Sequence, residues 1–510
     1  MVGQTLAWGS FVILVTTVLS RILGLIRESL IAYLFGAQAV TDSYIVASVL
    51  PTSIAGLIGG ALTTVFISVF VEERERLGEA KAWEGARAVL GSSFLFLAVM
   101  LGIAYGLIPF FLRAIAPGFD PQRFGLALRF SYIMLPSLLL LGLLGLLTGL
   151  FQSYRLFSIP ALTGLLFNVC LIGFLLIAPR DPWVSLGVGT VVAVASQVLV
   201  LLSLAKYRWP SFGLGFAFRH PTSLRVWKLF APILLGSGIG YINLIVDRVF
   251  ASFLPVGTVA ALNFAARVRD LPLGLFGMAV SQAVYPVLSL HSARGDKAQL
   301  KNLFSQALEV TWFFVVPASF GFMALSRETI AFLFERGAFT ALATQTTSEA
   351  LLFYSLGLMA LCSADLAAKV FYAEKDTKTP VKAATVGLFA NIVLNWALIH
   401  PLAHKGLALA TSISAVLNAG LLIIVLRKRL GGIGGKEFLK NLVKIMAASG
   451  GMALVLLPLR RMAEVWWGYL SVVAMGVMAY GAFVLLLRPR CVTVILERGR
   501  REVYSRLRRQ

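Results

Sequence analysis

Apolar residues run along this chain in long unbroken stretches, not in alternation. Stretches near 8–33, 42–70, 87–113, 125–151, 158–178, 184–205, 226–253, 260–289, 302–325, 346–373, 380–400, 405–426, 440–458 and 466–487 are separated by short polar breaks. A helix of about 20 apolar residues spans a bilayer, so the pattern predicts fourteen transmembrane helices. A membrane β-barrel would alternate apolar and polar residues and is excluded.

Composition agrees. Of 510 residues, 58% are hydrophobic and 13% charged, with a mean hydropathy of +0.86. An average soluble domain is about one-quarter charged. The fold class is therefore an all-α polytopic membrane protein. Three cysteines (Cys170, Cys362 and Cys491) are too few and scattered for a disulfide framework or metal cluster. Cys170 and Cys362 lie in apolar runs and read as small core residues. The first apolar stretch holds Arg21 and Arg27 and lacks a small-residue cleavage site, so no cleavable signal peptide is expected.

The net charge of +22 would point to nucleic acid in a soluble protein. Here it marks cytoplasmic loops, and no nucleic-acid partner is expected. The even-numbered breaks are basic: Lys206, Arg208, Arg219, Arg225 and Lys228 follow span 6, and Lys375, Lys378 and Lys382 follow span 10. Arg427, Lys428, Arg429, Lys436 and Lys440 follow span 12, and eight arginines between Arg488 and Arg509 follow span 14. The odd-numbered breaks, such as FGAQAVT and LPVGTV, are poor in Lys and Arg, with exceptions at Arg336, Arg460 and Arg461. Both termini are thus expected in the cytoplasm. The basic tail reads first as a topology anchor and second as a contact for anionic membrane lipids.

Two segments look alike. FGAQAVTDSYIVASVLP and FLPVGTVAALNFAARVRDLP each lead from an outer turn into a long span with a Leu-Pro midway, at Leu50-Pro51 and Leu271-Pro272. Related halves of six spans are a transporter plan. The expected organisation is a first lobe over 1–206, a cytoplasmic linker over 207–228, a second lobe over 229–430, spans 13 and 14 over 431–487, and the basic tail over 488–510.

Ionisable residues inside spans are functional hypotheses by default, since each costs about 2.5 to 3.5 kcal/mol to insert even on lenient scales. Arg21, Arg27 and Glu28 lie in span 1, and Asp42 opens span 2. Asp247 and Arg248 lie in span 7, Arg267, Arg269 and Asp270 in span 8, and Asp365 and Lys369 in span 10. Spans 3 to 6 are nearly bare. Cations exceed acids, which suits an anion, and the planar fork of Arg suits phosphate. Arg27 and Glu28 are helix neighbours, expected to face different ways. Each charge also has a plainer reading, a structural ion pair or snorkelling near a span end.

A second set carries neutral and acidic oxygens. Asp247, Asn391 and Asn395 (four apart on one helix face) and Thr411 could ligate a hard cation, or the asparagines could simply hydrogen-bond between helices. His220, His291, His400 and His404 fall at span ends or in loops, and Pro401 separates the last two. No phosphate-binding loop or nucleophile-elbow motif is present, so no enzyme and no cofactor are expected.

The segments SRILGLIRE, FGAQAVTDSY, DRVFASFLPVGTVAALNFAARVRDLPLGLFGMAV and FYAEKDTKTPVK resemble the MurJ/MviN family of lipid II flippases, within the multidrug/oligosaccharidyl-lipid/polysaccharide exporter superfamily. The resemblance implies two six-helix lobes in a V and a final helix pair forming a lipid-facing groove. It implies transfer of undecaprenyl-diphosphate-linked disaccharide-pentapeptide, lipid II, across the bacterial inner membrane. It implies cavity residues at Arg21, Arg27, Glu28, Asp42, Arg267 and Lys369, with Arg269 and Asp270 as accessories. It also implies Na⁺ at Asp247, Asn391, Asn395 and Thr411 as in some members, or coupling to membrane potential. Its expected partners are lipid II, membrane lipids and the cell-wall synthesis machinery, with a monomer as the working unit. Four features depart from family patterns. Ala266 stands where some members have Asp, LPTSIAGLIGG lacks an Arg, and Lys369 replaces Arg. Asn395 replaces a second acidic Na⁺ ligand, which weakens the expected cation site.

Overall fold

The computed structural model describes residues 2–217 and 219–489, and every regular element there is helical. Ten helices come first: α1 (Val2–Phe35), α2 (Ala39–Ala47), α3 (Ala55–Leu77), α4 (Glu79–Ile115), α5 (Pro121–Met134), α6 (Pro136–Ser153), α7 (Ser158–Ile177), α8 (Gly189–Arg208), α9 (Pro221–Ser237) and α10 (Ile239–Ser252). Eight follow: α11 (Thr258–Pro272), α12 (Ala279–Ala293), α13 (Lys297–Phe334), α14 (Ala341–Ala373), α15 (Lys378–Leu402), α16 (His404–Arg429), α17 (Gly435–Leu459) and α18 (Trp466–Leu487).

Twelve helical segments among the described residues are long and apolar enough to cross a membrane. The sequence reading gave fourteen. The stretch expected as span 7 is broken at Gly238 into α9 and α10, in the glycine-rich run GSGIG. Large apolar side chains face outward on α15, α17 and α18, where Trp396 and Leu454 are each 70% exposed. Such a surface suits lipid, not water.

The chain forms two compact units, one of residues up to Ala260 with Gly337–Phe339, the other of the remainder. Within the first unit, α9 packs on α3 and α4. Ser223 and Ser92 share a hydrogen bond of 2.7 Å, the Thr222 hydroxyl donates to Glu73 at 2.7 Å, and Trp227 packs against Phe96 with the rings tilted.

In the first unit, glycines bring backbones together, as small residues do inside membranes. A Cβ on Gly59 of α3 would lie 2.6 Å from the Leu141 carbonyl oxygen of α6, and one on Gly145 would strike Gly59. The Thr63 hydroxyl donates to the Gly145 carbonyl at 2.7 Å. In the second unit, α14 packs on α13 and α16, and α17 and α18 dock on α13. That dock has polar contacts along its length: Asn441 donates to Glu309 at 3.4 Å, Tyr480 to the Phe313 carbonyl at 2.7 Å, and Arg460 to Glu328 at 3.0 Å.

The halves share local geometry. Leu50-Pro51 lies within a widened π-helical turn over Val49–Ile54, and Leu271-Pro272 immediately precedes one over Leu273–Met278. Proline lacks the N–H that a regular turn would use. Phe151–Pro160 and Phe371–Pro380 form the same helix stop. Arg155 and Lys375 both adopt φ of 61°, and the N–H of Leu156 and Asp376 returns to the Phe151 and Phe371 carbonyls at 3.0 and 2.9 Å. Asp120 and Thr340 cap α5 and α14 in matching places. In the second stop, the Thr379 hydroxyl and Arg429 hold the Asp376 carboxyl down at about 2, so the loop stays charged near neutrality.

Placing a Cβ between α3 and α6 overpacks the first unit. Gly145→Val should lower the melting temperature in detergent by an amount equivalent to about 1–3 kcal/mol. Gly102→Val should leave it unchanged, because nothing lies within 4 Å of a Cβ there.

Candidate functional site

Arg27 is the best-defined cation inside a span. It lies on α1, a helix free of proline that ends at Gly36, whose φ of 61° suits a helix stop. One guanidinium nitrogen donates to Glu28 Oε1 at 2.6 Å and the other to Asn168 Oδ1 at 2.9 Å. The guanidinium carbon stands 5.5 Å from the Phe167 ring centre. The Arg27 side chain is 15% exposed and that of Glu28 8%. The expectation that Arg27 and Glu28 face apart is therefore corrected. Their Cβ atoms diverge, but both side chains are long enough to meet.

Asn168 comes from α7, in a region the sequence reading left bare. Its amide nitrogen donates to the Ser20 carbonyl and hydroxyl at 3.3 Å and to the Gly164 carbonyl at 3.0 Å. An Asn amid LLFNVCLIGF was the available signal. Arg21, half-buried on the same helix, makes no hydrogen bond or ion pair among the described residues.

Asp42 has a different task. It is fully buried and accepts from the N–H groups of Gly257 at 2.6 Å and Ala260 at 2.7 Å. These are the donors at the start of α11, so Asp42 caps that helix from a distance. Arg123, 8% exposed at its side chain, stands 4.0 Å from Asp42 and pairs with Asp120 at 2.6 Å. Gly257, with φ of 89°, lies against the Ala37 carbonyl, where a side chain would not fit. Gly337 fits against Tyr33 in the same way, and the Ala338 N–H donates to the Tyr33 carbonyl at 2.8 Å. The turns after α1 and α10 and the Gly337–Phe339 segment thus meet within the first unit. Asp42 lies at the centre of this knot.

In the second unit, Arg267 is exposed on α11. Arg269 pairs with Asp270 at 2.8 Å and lies 4.7 Å from the Tyr354 ring centre, which fits the plainer reading of a structural ion pair. Lys369 on α14 is half-buried, with its ammonium 5.5 Å from the Tyr285 ring centre. Arg460, an exception among the odd-numbered breaks, is answered by Glu328, and Arg336 donates to the Phe332 carbonyl at the end of α13. Cys362 is buried, and the Cys170 thiol donates to Ser196 at 3.4 Å. His404 bonds Glu349 at 2.9 Å. Cys491 and the basic tail from 490 onward lie outside the described residues.

Of the expected Na⁺ ligands, Asn391, Asn395 and Thr411 lie in the second unit. Asn395 donates to Asn391 Oδ1 at 2.9 Å, an i,i+4 bond within α15, and the Thr411 hydroxyl donates to its own helix at Leu407. Those second-unit donors are neutral, whereas a hard cation favours carboxylates. Among the described residues, no group of three or more His, Cys, Asp or Glu side chains could hold a metal.

Asp42→Ala should remove two charge-assisted hydrogen bonds and leave Arg123 without that acid. A loss of about 3 kcal/mol in thermal unfolding is expected, with Asp42→Asn intermediate.

The chain matches the family model described as lipid II flippase MurJ over residues 31–478. It is 32% identical over 423 residues to the lipid II flippase MurJ of Burkholderia cenocepacia, covering 81% of this chain and 82% of that protein. It is 30% identical over 489 residues to the probable lipid II flippase MurJ of Thermotoga maritima, covering 95% and 97%. A solved structure of lipid II flippase MurJ in an inward closed conformation superposes with a TM-score of 0.82 at 26% identity, covering 94% of this chain and 99% of that one. An inward-facing multidrug resistance transporter of the MATE family shares the fold, with a TM-score of 0.69 at 12% identity over 81% of this chain and 94% of that one. This chain belongs to the MurJ family of lipid II flippases.

Proposed function

We propose that the chain moves lipid II from the cytoplasmic to the outer leaflet of the bacterial inner membrane by alternating access. It is a transporter, not an enzyme. The observation that carries the reading is Arg27, held inside a span of a chain whose family is that of lipid II flippases.

The physical problem is the head of the lipid. A diphosphate with its sugars and peptide loses its hydration in hydrocarbon, at a cost of tens of kcal/mol for a bare ion. An arginine fixed at depth replaces part of that water with N–H donors. Arg27 has five donors, and two of them engage Glu28 and Asn168. The remaining N–H groups are available for phosphate oxygens. The head must also leave, so binding is kept moderate. Glu28, a carboxylate on the same guanidinium, competes with phosphate and aids release. Arg21, Arg267 and Lys369 add positive charge of the same kind within their own units. The polyprenyl tail stays in lipid throughout. The working unit in this reading is a monomer, and cell-wall synthesis enzymes consume the product.

Both termini are cytoplasmic in this reading. The basic even-numbered breaks support that orientation, as does the neutralisation of Arg460 by Glu328. In a variant with its native cysteines replaced by serine, a cysteine at Gln122 should react with an impermeant maleimide added outside. One at Ser211 should react only once the inner face is opened.

A bacterium depleted of its own flippase should grow when this chain is expressed. Arg27→Ala at equal abundance should abolish that growth, and Arg460→Ala should retain it. Growth with Arg27→Ala as good as with the native chain would refute the role of Arg27. Glu28→Gln should slow transport while tightening lipid II binding severalfold; unchanged transport would remove the release role.

A further inference from the structure

Asn168 is 5% exposed in the middle of an apolar helix, where an amide needs partners for every polar atom. A tether between α1 and α7 accounts for its nitrogen, which bonds Ser20 on one helix and Gly164 on its own. It does not account for its oxygen, which receives Arg27. Beside it on α7, Phe167 lies under the same guanidinium. Two consecutive residues of one helix thus fix both the plane and the rotation of the Arg27 fork.

Small residues allow the reach. A Cβ on Gly164 would come within 3.3 Å of the Ser20 hydroxyl. The choice of an amide also has electrostatic meaning. Glu28 already places one negative charge on Arg27. An aspartate at 168 would orient the fork equally well but add a second negative charge, leaving the cluster of two acids and one base repulsive to an anion. A neutral acceptor orients the guanidinium without spending its charge.

We infer that Asn168 is a positioning residue for anion binding, acting through Arg27 to aim its free donors at the diphosphate of the lipid. This rests on the reading of Arg27 as a phosphate contact.

The test is a double-mutant cycle on lipid II binding, by native mass spectrometry of the full chain in detergent. Arg27→Ala and Asn168→Ala should each weaken binding about tenfold, the scale seen when a supporting partner of a ligand is removed. The double variant should bind no more weakly than Arg27→Ala alone. Asn168→Asp should weaken binding further than Asn168→Ala, through its added charge. If Asn168→Ala fails to fold, Asn168→Gln, which keeps an amide but displaces its oxygen, replaces it in the cycle. Losses that multiply to about a hundredfold in the double variant would reduce Asn168 to a tether and overturn the inference while leaving Arg27 as a contact. Native-like binding by Arg27→Ala would overturn both the inference and the reading beneath it.

Discussion

A charge inside hydrocarbon has to be answered, and most of this structure can be read as the set of answers. Arg27 is met by Glu28, Asn168 and the face of Phe167. Asp42 is met by two backbone N–H groups at the head of α11, with Arg123 nearby. Arg269 has Asp270, Arg460 has Glu328, and the buried Glu309 has Asn441. Fully paired groups build the fold. Asp42 and its turn knot belong there, as does the polar dock of α17 and α18 on α13. A cation held firmly but with donors left over is a different object, and it is suited to a ligand that brings its own negative charge.

That distinction sorts the ionisable residues better than their position along the spans does. Sequence position alone gives Arg27, Asp42 and Arg269 equal standing, since each is a charge in an apolar stretch. Geometry separates them. Asp42 uses both carboxylate oxygens on backbone, and Arg269 is closed off by its neighbour and by Tyr354. Arg27 is oriented more strictly than either and is only partly consumed.

Much of the architecture was legible because membrane insertion imposes strong rules on sequence. Apolar run length gave the helices, and the matching Leu-Pro steps pointed to related halves, where the structure has matching π-helical turns. The break at Gly238 was hidden because a hydropathy average runs smoothly across PILLGSGIG, although its glycines weaken a helix. The Arg27–Glu28 pair was misjudged because helical spacing describes where Cβ atoms point, not how far long side chains bend. Asn168 was missed for another reason. A lone amide in an apolar run is a signal of burial, but its role is not readable until its neighbour in space, 141 positions away in sequence, is known. Arg123, which the sequence reading did not single out, is buried against the turn at Leu254.

The central claim is that this chain carries lipid II across the membrane using Arg27 as a phosphate contact. Spheroplasts of a flippase-depleted bacterium expressing the chain offer the most direct measurement: the fraction of lipid II open to an impermeant reagent or enzyme at the outer face. That fraction should return to the level of undepleted cells with the native chain and stay at the depleted level with Arg27→Ala. A native chain abundant in the membrane with no recovery of outer-leaflet lipid II would contradict the account.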